Sequence, residues 1–151
     1  MVVAIDGPDR REAIARQVLE ALPDWFGSAE SREAYIRGSR VQPFWADVED
    51  SVARGFLALK ETSPYTAELA VMGVLPEYHR QGVGRALFEA FRRYAGAKGY
   101  AFLQVKTVRE GCYAAYDQTN AFYRSLGFRE LECFPTLWDA WNPCQIYVMT
   151  V

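Results

Sequence analysis

The sequence predicts a mixed α/β domain over residues 1–151, with one mostly antiparallel central sheet of about six or seven strands flanked by about four helices. Three observations carry that expectation. The segment Glu68 to Tyr94 changes its hydrophobic period in mid-course: Glu68 to Leu75 is a short apolar run closed by Pro76, and Leu87, Ala90, Phe91 and Tyr94 then recur at i, i+3, i+4 and i+7. Upstream, short apolar runs alternate with polar turns, as in an antiparallel meander. Downstream, Gly99 ends the helix and Tyr100 to Val105 supplies another strand, so strand, helix and strand make a parallel, right-handed crossover.

Taken in order, Val2 to Ile5 reads as a short edge strand, and Asp6-Gly7-Pro8 is turn chemistry leading to Asp9 as the N-cap of a first helix. Ala13, Ile14, Val18 and Leu22 keep helical spacing through about Ala21, and Pro23 stops that helix. Trp25 and Phe26 lie in the connection. Ser28 caps a second helix over about Ala29 to Gly38, with Glu30 and Glu33 where the helix dipole favours acids. Val41 to Val48 and Gly55 to Lys60 are strands joined by Glu49-Asp50-Ser51, and Glu61-Thr62-Ser63-Pro64 turns the chain into the Glu68 strand. Beyond the crossover, Tyr116 to Ser125 is a helix with Gly127 as its C-cap, and Phe128 to Phe134 and Gln145 to Val151 are the last strands. Pro135 to Pro143, between those strands, reads as a long aromatic loop.

Half of the residues are hydrophobic and 15% are aromatic, enough for a packed core. The longest uncharged apolar run, Leu69 to Leu75, is far below the roughly 18 residues a membrane span needs, and Met1 to Ile5 is too short for a signal h-region. The expectation is a soluble, cytoplasmic protein with no membrane partner. Cys112, Cys133 and Cys144 are an odd number without a Cys-x-x-Cys pair, so they form neither a disulfide framework nor a zinc site, and a single histidine excludes a His-rich metal site. With a net charge of −2 and arginines scattered among acids, the chain offers nucleic acid no basic stripe.

Between the strand and the helix lies Arg80-Gln81-Gly82-Val83-Gly84-Arg85. Gly82 and Gly84 lack a Cβ, so the backbone can turn sharply and approach a ligand, while the first helical amides have no intrahelical partner. Unpaired amides at the positive end of a helix attract phosphate, and Arg80 and Arg85 add charge there. A close-packed turn that binds nothing would use the same glycines. No Gly-Lys-Ser/Thr follows, which excludes a Walker-type loop, and there is no full Gly-x-Gly-x-x-Gly for a dinucleotide.

His79-Arg80-Gln81-Gly82-Val83-Gly84, after a strand and before an amphipathic helix, resembles the Arg/Gln-x-x-Gly-x-Gly/Ala loop with which the GNAT N-acetyltransferases hold acetyl-coenzyme A. A second element of that family, a helix carrying Tyr followed by Gly-Phe, is matched by Ala121-Phe122-Tyr123-Arg124-Ser125-Leu126-Gly127-Phe128. The resemblance covers about residues 30 to 151. His79 stands where the family has Arg or Gln, in a loop that holds pyrophosphate chiefly through backbone amides.

This resemblance implies transfer of an acetyl group from acetyl-coenzyme A to a primary amine of a small molecule or peptide, without a metal. Arg80, Gln81, Gly82, Val83, Gly84 and Arg85 would hold the pyrophosphate, and pantetheine would lie as a pseudo-strand along Met72, Gly73 and Val74. A glycine in mid-strand such as Gly73 fits a bulge or a close backbone approach. Tyr123 matches the family's general acid, its alternative being a core aromatic paired with Phe122 or Phe128. Glu68 stands eleven residues before His79, where the family's histone acetyltransferases carry a general base; the alternative is a surface residue at a strand end. Seven residues before the tyrosine the family often has a cofactor-contacting Asn; this chain has Tyr116, and Asn120 is the nearest polar substitute.

Trp25, Phe26, Phe44 and Trp45, with Trp138 and Trp141, lie in segments where the family builds its variable acceptor pocket. Aromatic walls hold a cationic amine face-on, although plain core packing uses the same residues. The three cysteines read as packing residues rather than acyl-enzyme nucleophiles. A rival reading is a non-catalytic acyl-coenzyme A sensor or partner module of the same fold, against which Glu68 and Tyr123 argue; a transferase acting on transfer RNA would want a basic face. A homodimer is compatible with either.

Overall fold

The chain runs β1 (Val2–Ala4), α1 (Pro8–Glu20), α2 (Ala29–Ser39), β2 (Phe44–Glu49), β3 (Val52–Ser63), β4 (Thr66–Val74), a single 3-10 turn (Pro76–Tyr78), α3 (Val83–Ala97), β5 (Phe102–Val108), α4 (Ala114–Leu126), β6 (Arg129–Asp139) and β7 (Asn142–Thr150). These elements come from a computed structural model that describes residues 1–151. The seven strands form one sheet in the order β1-β2-β3-β4-β5-β7-β6, antiparallel throughout except for the β4–β5 pair. The mixed, mostly antiparallel sheet with four helices is the architecture expected. No helix is long and apolar enough to cross a membrane.

Period-two alternation sorts the strands onto two cores. Phe44 and Ala46 of β2, Phe56 and Ala58 of β3 and Val71 of β4 pack with α1 and α2. Trp45, Leu57, Leu59, Leu69 and Val105 point the other way, into a core completed by Leu87, Phe88 and Phe91 of α3 and by Tyr123 and Leu126 of α4.

Three local expectations are corrected. Gly7, not Asp9, is the N-cap of α1: Pro8 takes the first helical position, where a missing N–H is no loss, and Asp9 sits in the first turn. β3 extends well beyond Gly55 to Lys60, because Asp50 and Ser51 adopt φ of 49° and 65° and so close a tight hairpin with β2. The expected aromatic loop is instead strand. β6 continues to Asp139, whose carboxylate accepts from the N–H of Trp141 (2.8 Å) and Asn142 (2.9 Å) to close the turn. Pro135 is tolerated because β6 is an edge strand, paired only with β7, and the ladder slips between Phe134 and Asp139.

The feature that positions the site is a fork. β4 and β5 are paired from Thr66↔Phe102 to Leu69↔Val105 and no further, while β4 continues along β3 to Val74. At the branching point Ala70 is an extra residue, since Ala58 pairs with Val71 but Leu59 with Leu69. Such a bulge bends its strand away from a neighbour.

Candidate active site

The fork opens a cleft of ≈1230 Å³ bounded by β4, β5, the start of α3, α4, the α1–α2 connection and the β6–β7 hairpin. Its floor is backbone. The Leu75 N–H donates to Arg54 C=O at 2.8 Å, so the alternation of ladder bonds gives Val71 and Gly73 to β3 and turns the N–H and C=O of Met72 and Val74 towards the gap. His79 Nε2 donates to the Val74 carbonyl at 2.7 Å, which leaves both groups of Met72 and the Val74 N–H for a ligand. Gly73 serves another purpose than the one expected. A Cβ there would lie 2.9 Å from Val18 Cγ1 and 3.0 Å from Leu22 Cδ1, so its close neighbour is α1.

The loop into α3 has the features of an anion cradle. Arg80 and Gly82 are both left-handed, with φ of 60° and 81°, and turns of this kind aim successive N–H groups to one side. The first α-helical bond runs from Ala86 N–H to Gly82 C=O, so the amides of Val83, Gly84 and Arg85 have no intrahelical partner. No side chain caps them, and the first turn holds no acid. A Cβ on Gly82 would meet no atom within 4 Å: the space beside that backbone is open. On Gly84 it would lie 3.1 Å from Phe122 Cζ, so this glycine lets α3 begin against α4. Arg80, Gly82, Val83, Gly84 and Arg85 all face the cleft, whereas Gln81 does not; its Nε2 donates to Glu77 C=O at 3.0 Å and braces the loop from behind. The open amides, the flanking arginines and the unobstructed backbone at Gly82 fit the pyrophosphate of coenzyme A.

Opposite the loop, Tyr123 of α4 combines both roles weighed for it. Its ring packs against Phe122, Phe128 and Tyr147, while the residue also lines the cleft and its hydroxyl has no hydrogen-bond partner in the protein. Burial pushes the phenol well above its ordinary value, so it keeps its proton at and well above neutral pH. Thr107 of β5, which the sequence reading passed over, also borders the cleft; its Oγ1 is buried and has no partner. The available signal was a lone hydroxyl in the inward row Leu103, Val105, Thr107.

Asn120 does not reach the cleft. It is fully buried, donates to Val108 C=O (2.9 Å) and Tyr116 C=O (2.7 Å), and accepts from the Tyr147 hydroxyl (2.7 Å), beside a separate polar hollow of ≈220 Å³. Its amide ties α4 to β5 and β7. We therefore expect Asn120→Ala to lower unfolding stability by about 2–4 kcal/mol in a urea titration, by leaving buried partners unpaired, with coenzyme A affinity unchanged. A normal stability with weakened coenzyme A binding would restore the cofactor role.

Glu68 is 6% exposed and engaged through one oxygen: its Oε1 accepts from Gln104 Nε2 at 3.2 Å and pairs with Lys106 Nζ at 3.2 Å. Lys106 and Leu69 border the cleft, and Glu68 lies just behind them. Of the six aromatic candidates, the structure brings three to the cleft: Trp25, Phe26 and Trp138, while Trp141 is exposed outside it. Trp25 and Phe26 line it, and Trp25 spans it, donating to Thr119 Oγ1 (2.9 Å) and Ala115 C=O (3.2 Å) of α4 and meeting the His79 ring edge-on at 5.9 Å. Tyr116 returns a bond to Trp25 C=O at 2.5 Å. Phe44 and Trp45 do not reach the cleft. Phe44 stacks on Phe56 at 5.0 Å and Trp45 packs against Phe91 and Tyr94, because successive β2 residues alternate between the two cores. Cys144 is buried, and burial pushes its thiol up to about 11, the reverse of what a nucleophile needs. No group of three or more His, Cys, Asp or Glu side chains is placed to hold a metal ion.

A curated relative, an uncharacterized protein of Mycobacterium leprae, is 33% identical over 86 residues, which are 57% of this chain; the match spans about a fifth of that protein, 22% of its length. The fold is shared with a solved structure assigned to the GNAT acetyltransferases from Desulfovibrio desulfuricans, at a TM-score of 0.82 and 20% identity over 99% of this chain and 98% of the other. It is shared also with an aminoglycoside 6'-N-acetyltransferase in complex with coenzyme A, at 0.76 and 14% identity over 99% and 96%. The profile of the acetyltransferase (GNAT) domain matches residues 39–130, which hold the fork, the glycine loop and Tyr123, and the chain belongs to the GNAT acetyltransferase family.

Proposed function

We propose that the protein is an N-acetyltransferase that moves an acetyl group from acetyl-coenzyme A to a primary amine of a small molecule or peptide. One observation carries this reading: the free backbone groups of Met72 and Val74 lie in a single cleft with the uncapped start of α3 and the unpartnered hydroxyl of Tyr123. Acetyl-coenzyme A supplies an acyl group activated as a thioester. Val83, Gly84 and Arg85 hold its pyrophosphate through their amides, with Arg80 and Arg85 as counter-charges. Met72 and Val74 orient the pantetheine arm by strand-like bonds, and Thr107 Oγ1 is an additional partner beside them. Tyr123 holds a proton for the leaving sulfur. Glu68, set behind the cleft wall, takes the proton of the amine through a water.

For Glu68 the expected result is a loss of about 10²-fold or more in kcat/KM in Glu68→Gln, with the KM for acetyl-coenzyme A unchanged. Wild-type kcat/KM in that variant assigns the base elsewhere. The reading as a whole is tested by incubating the protein with acetyl-coenzyme A and a panel of amines, following coenzyme A thiol and acetylated product together. Binding of coenzyme A with no release on any amine supports the non-catalytic sensor instead.

A further inference from the structure

The side of the cleft formed by the α1–α2 region, the start of α4 and the β6–β7 hairpin is built from rings contributed by these three separate elements. Phe26 and Tyr35, 5.9 Å apart and edge-on, come from the α1–α2 region; Tyr113 and Tyr116, 6.2 Å apart, come from the start of α4; Trp138 comes from the β6–β7 hairpin. Bonds tie these elements together: the Tyr116 hydroxyl donates to Trp25 C=O at 2.5 Å, and the Tyr113 hydroxyl to Trp141 C=O at 3.5 Å. The rings therefore belong to one wall.

Charge on this side is as informative as the rings. The only carboxylates bordering the cleft are those of Asp24 and Asp139. Asp139 is engaged in its own turn, accepting from the N–H of Trp141 and Asn142 and from Asn142 Nδ2, and these bonds hold its carboxyl below the usual range. Asp24 is exposed on the helix connection. Of the cations that line the cleft, Arg80 and Arg85 flank the glycine loop and Lys106 is paired with Glu68; Arg32, which does not line it, donates to the Phe26 carbonyl at 3.3 Å. A polyamine or an aminosugar would bring several ammonium groups to a wall with one free acid, and a charge taken from water without a partner is strongly disfavoured. An amino acid would bring a carboxylate to a wall whose one lining cation, Lys106, is already paired. A neutral aromatic or aliphatic body gains instead from apolar contact with the rings, and a single ammonium is held on ring faces until it loses its proton.

We propose, on the N-acetyltransferase reading above, that the acceptor is a small monoamine whose amine is carried on an uncharged aromatic or apolar body, the arylalkylamine class. The test compares 2-phenylethylamine and tryptamine with spermidine, kanamycin and phenylalanine, reading kcat/KM from coenzyme A release and, separately, the melting temperature of the coenzyme A complex with each amine. The expected result is a preference for the two arylalkylamines of about 100-fold or more, with melting raised by them alone. Trp138→Ala, on a hairpin where the side chain is half exposed, should lower kcat/KM for 2-phenylethylamine about tenfold while the melting shift from coenzyme A alone persists. Spermidine, kanamycin or phenylalanine used as well as or better than the arylalkylamines overturns the acceptor class and leaves acetyl transfer standing. Binding of 2-phenylethylamine without turnover of any amine supports the aromatic site and overturns the transfer reading. Neither binding nor turnover overturns both.

Discussion

Tyr123→Phe should lower kcat by about 10²- to 10⁴-fold, the usual loss on removing a general acid, while the KM for acetyl-coenzyme A stays close to that of the parent. The structure sharpens this prediction through what the hydroxyl does not do. Because no protein group is bonded to it, its removal leaves no buried partner unsatisfied, and the ring contacts with Phe122, Phe128 and Tyr147 survive in phenylalanine. The melting temperature should therefore be unchanged. Burial keeps the phenol protonated well beyond neutrality, so its titration should place no basic limb in the profile across about pH 6 to 9. Near-normal turnover in a protein that melts earlier would reduce Tyr123 to a core aromatic.

The second large effect is expected at Gly82. Its φ of 81° is a conformation that Asp tolerates better than most residues, and a Cβ there meets no protein atom within 4 Å, so Gly82→Asp should fold with a loss of about 1 kcal/mol. Its carboxylate would stand in the space that the uncapped amides of Val83 to Arg85 face, replacing an attraction for phosphate by repulsion. Calorimetric titration should show coenzyme A affinity reduced by at least about 100-fold, equal to roughly 3 kcal/mol. Gly82→Ala carries at least as much backbone strain without the charge and should retain most of the affinity. Equal loss in both variants would assign the effect to loop distortion and not to a phosphate site.

Much of this was legible in the chain because local chemistry and tertiary structure agree there. The switch of period after Leu75, the glycines at 82 and 84 and the Tyr-x-x-x-Gly-Phe ending of α4 each specify a conformation within a few residues. What escaped depends on which way a residue faces or on what lies across from it. Trp45 and Phe44 sit in a plausible segment, but strand alternation sends one to each core. Asn120 is one turn from Tyr123, yet its partners are the β5 carbonyl of Val108 and the β7 hydroxyl of Tyr147, positions fixed only by the sheet order. Gly73 signals a close approach without saying by what, and the neighbour is α1. The aromatic stretch before Pro143 looked like a loop because proline and turn residues mark it, while an edge strand accepts both.

That the fork between β4 and β5 holds acetyl-coenzyme A is tested most directly by thermal unfolding with and without coenzyme A. Binding confined to the folded state adds about 2.7 kcal/mol at a hundredfold excess over Kd, which in a domain of this size raises the melting temperature by roughly 5–11 °C. The wild type should show that rise and Gly82→Asp should not; an unshifted melting curve at millimolar coenzyme A, with the two proteins indistinguishable, would contradict a cofactor site in the fork.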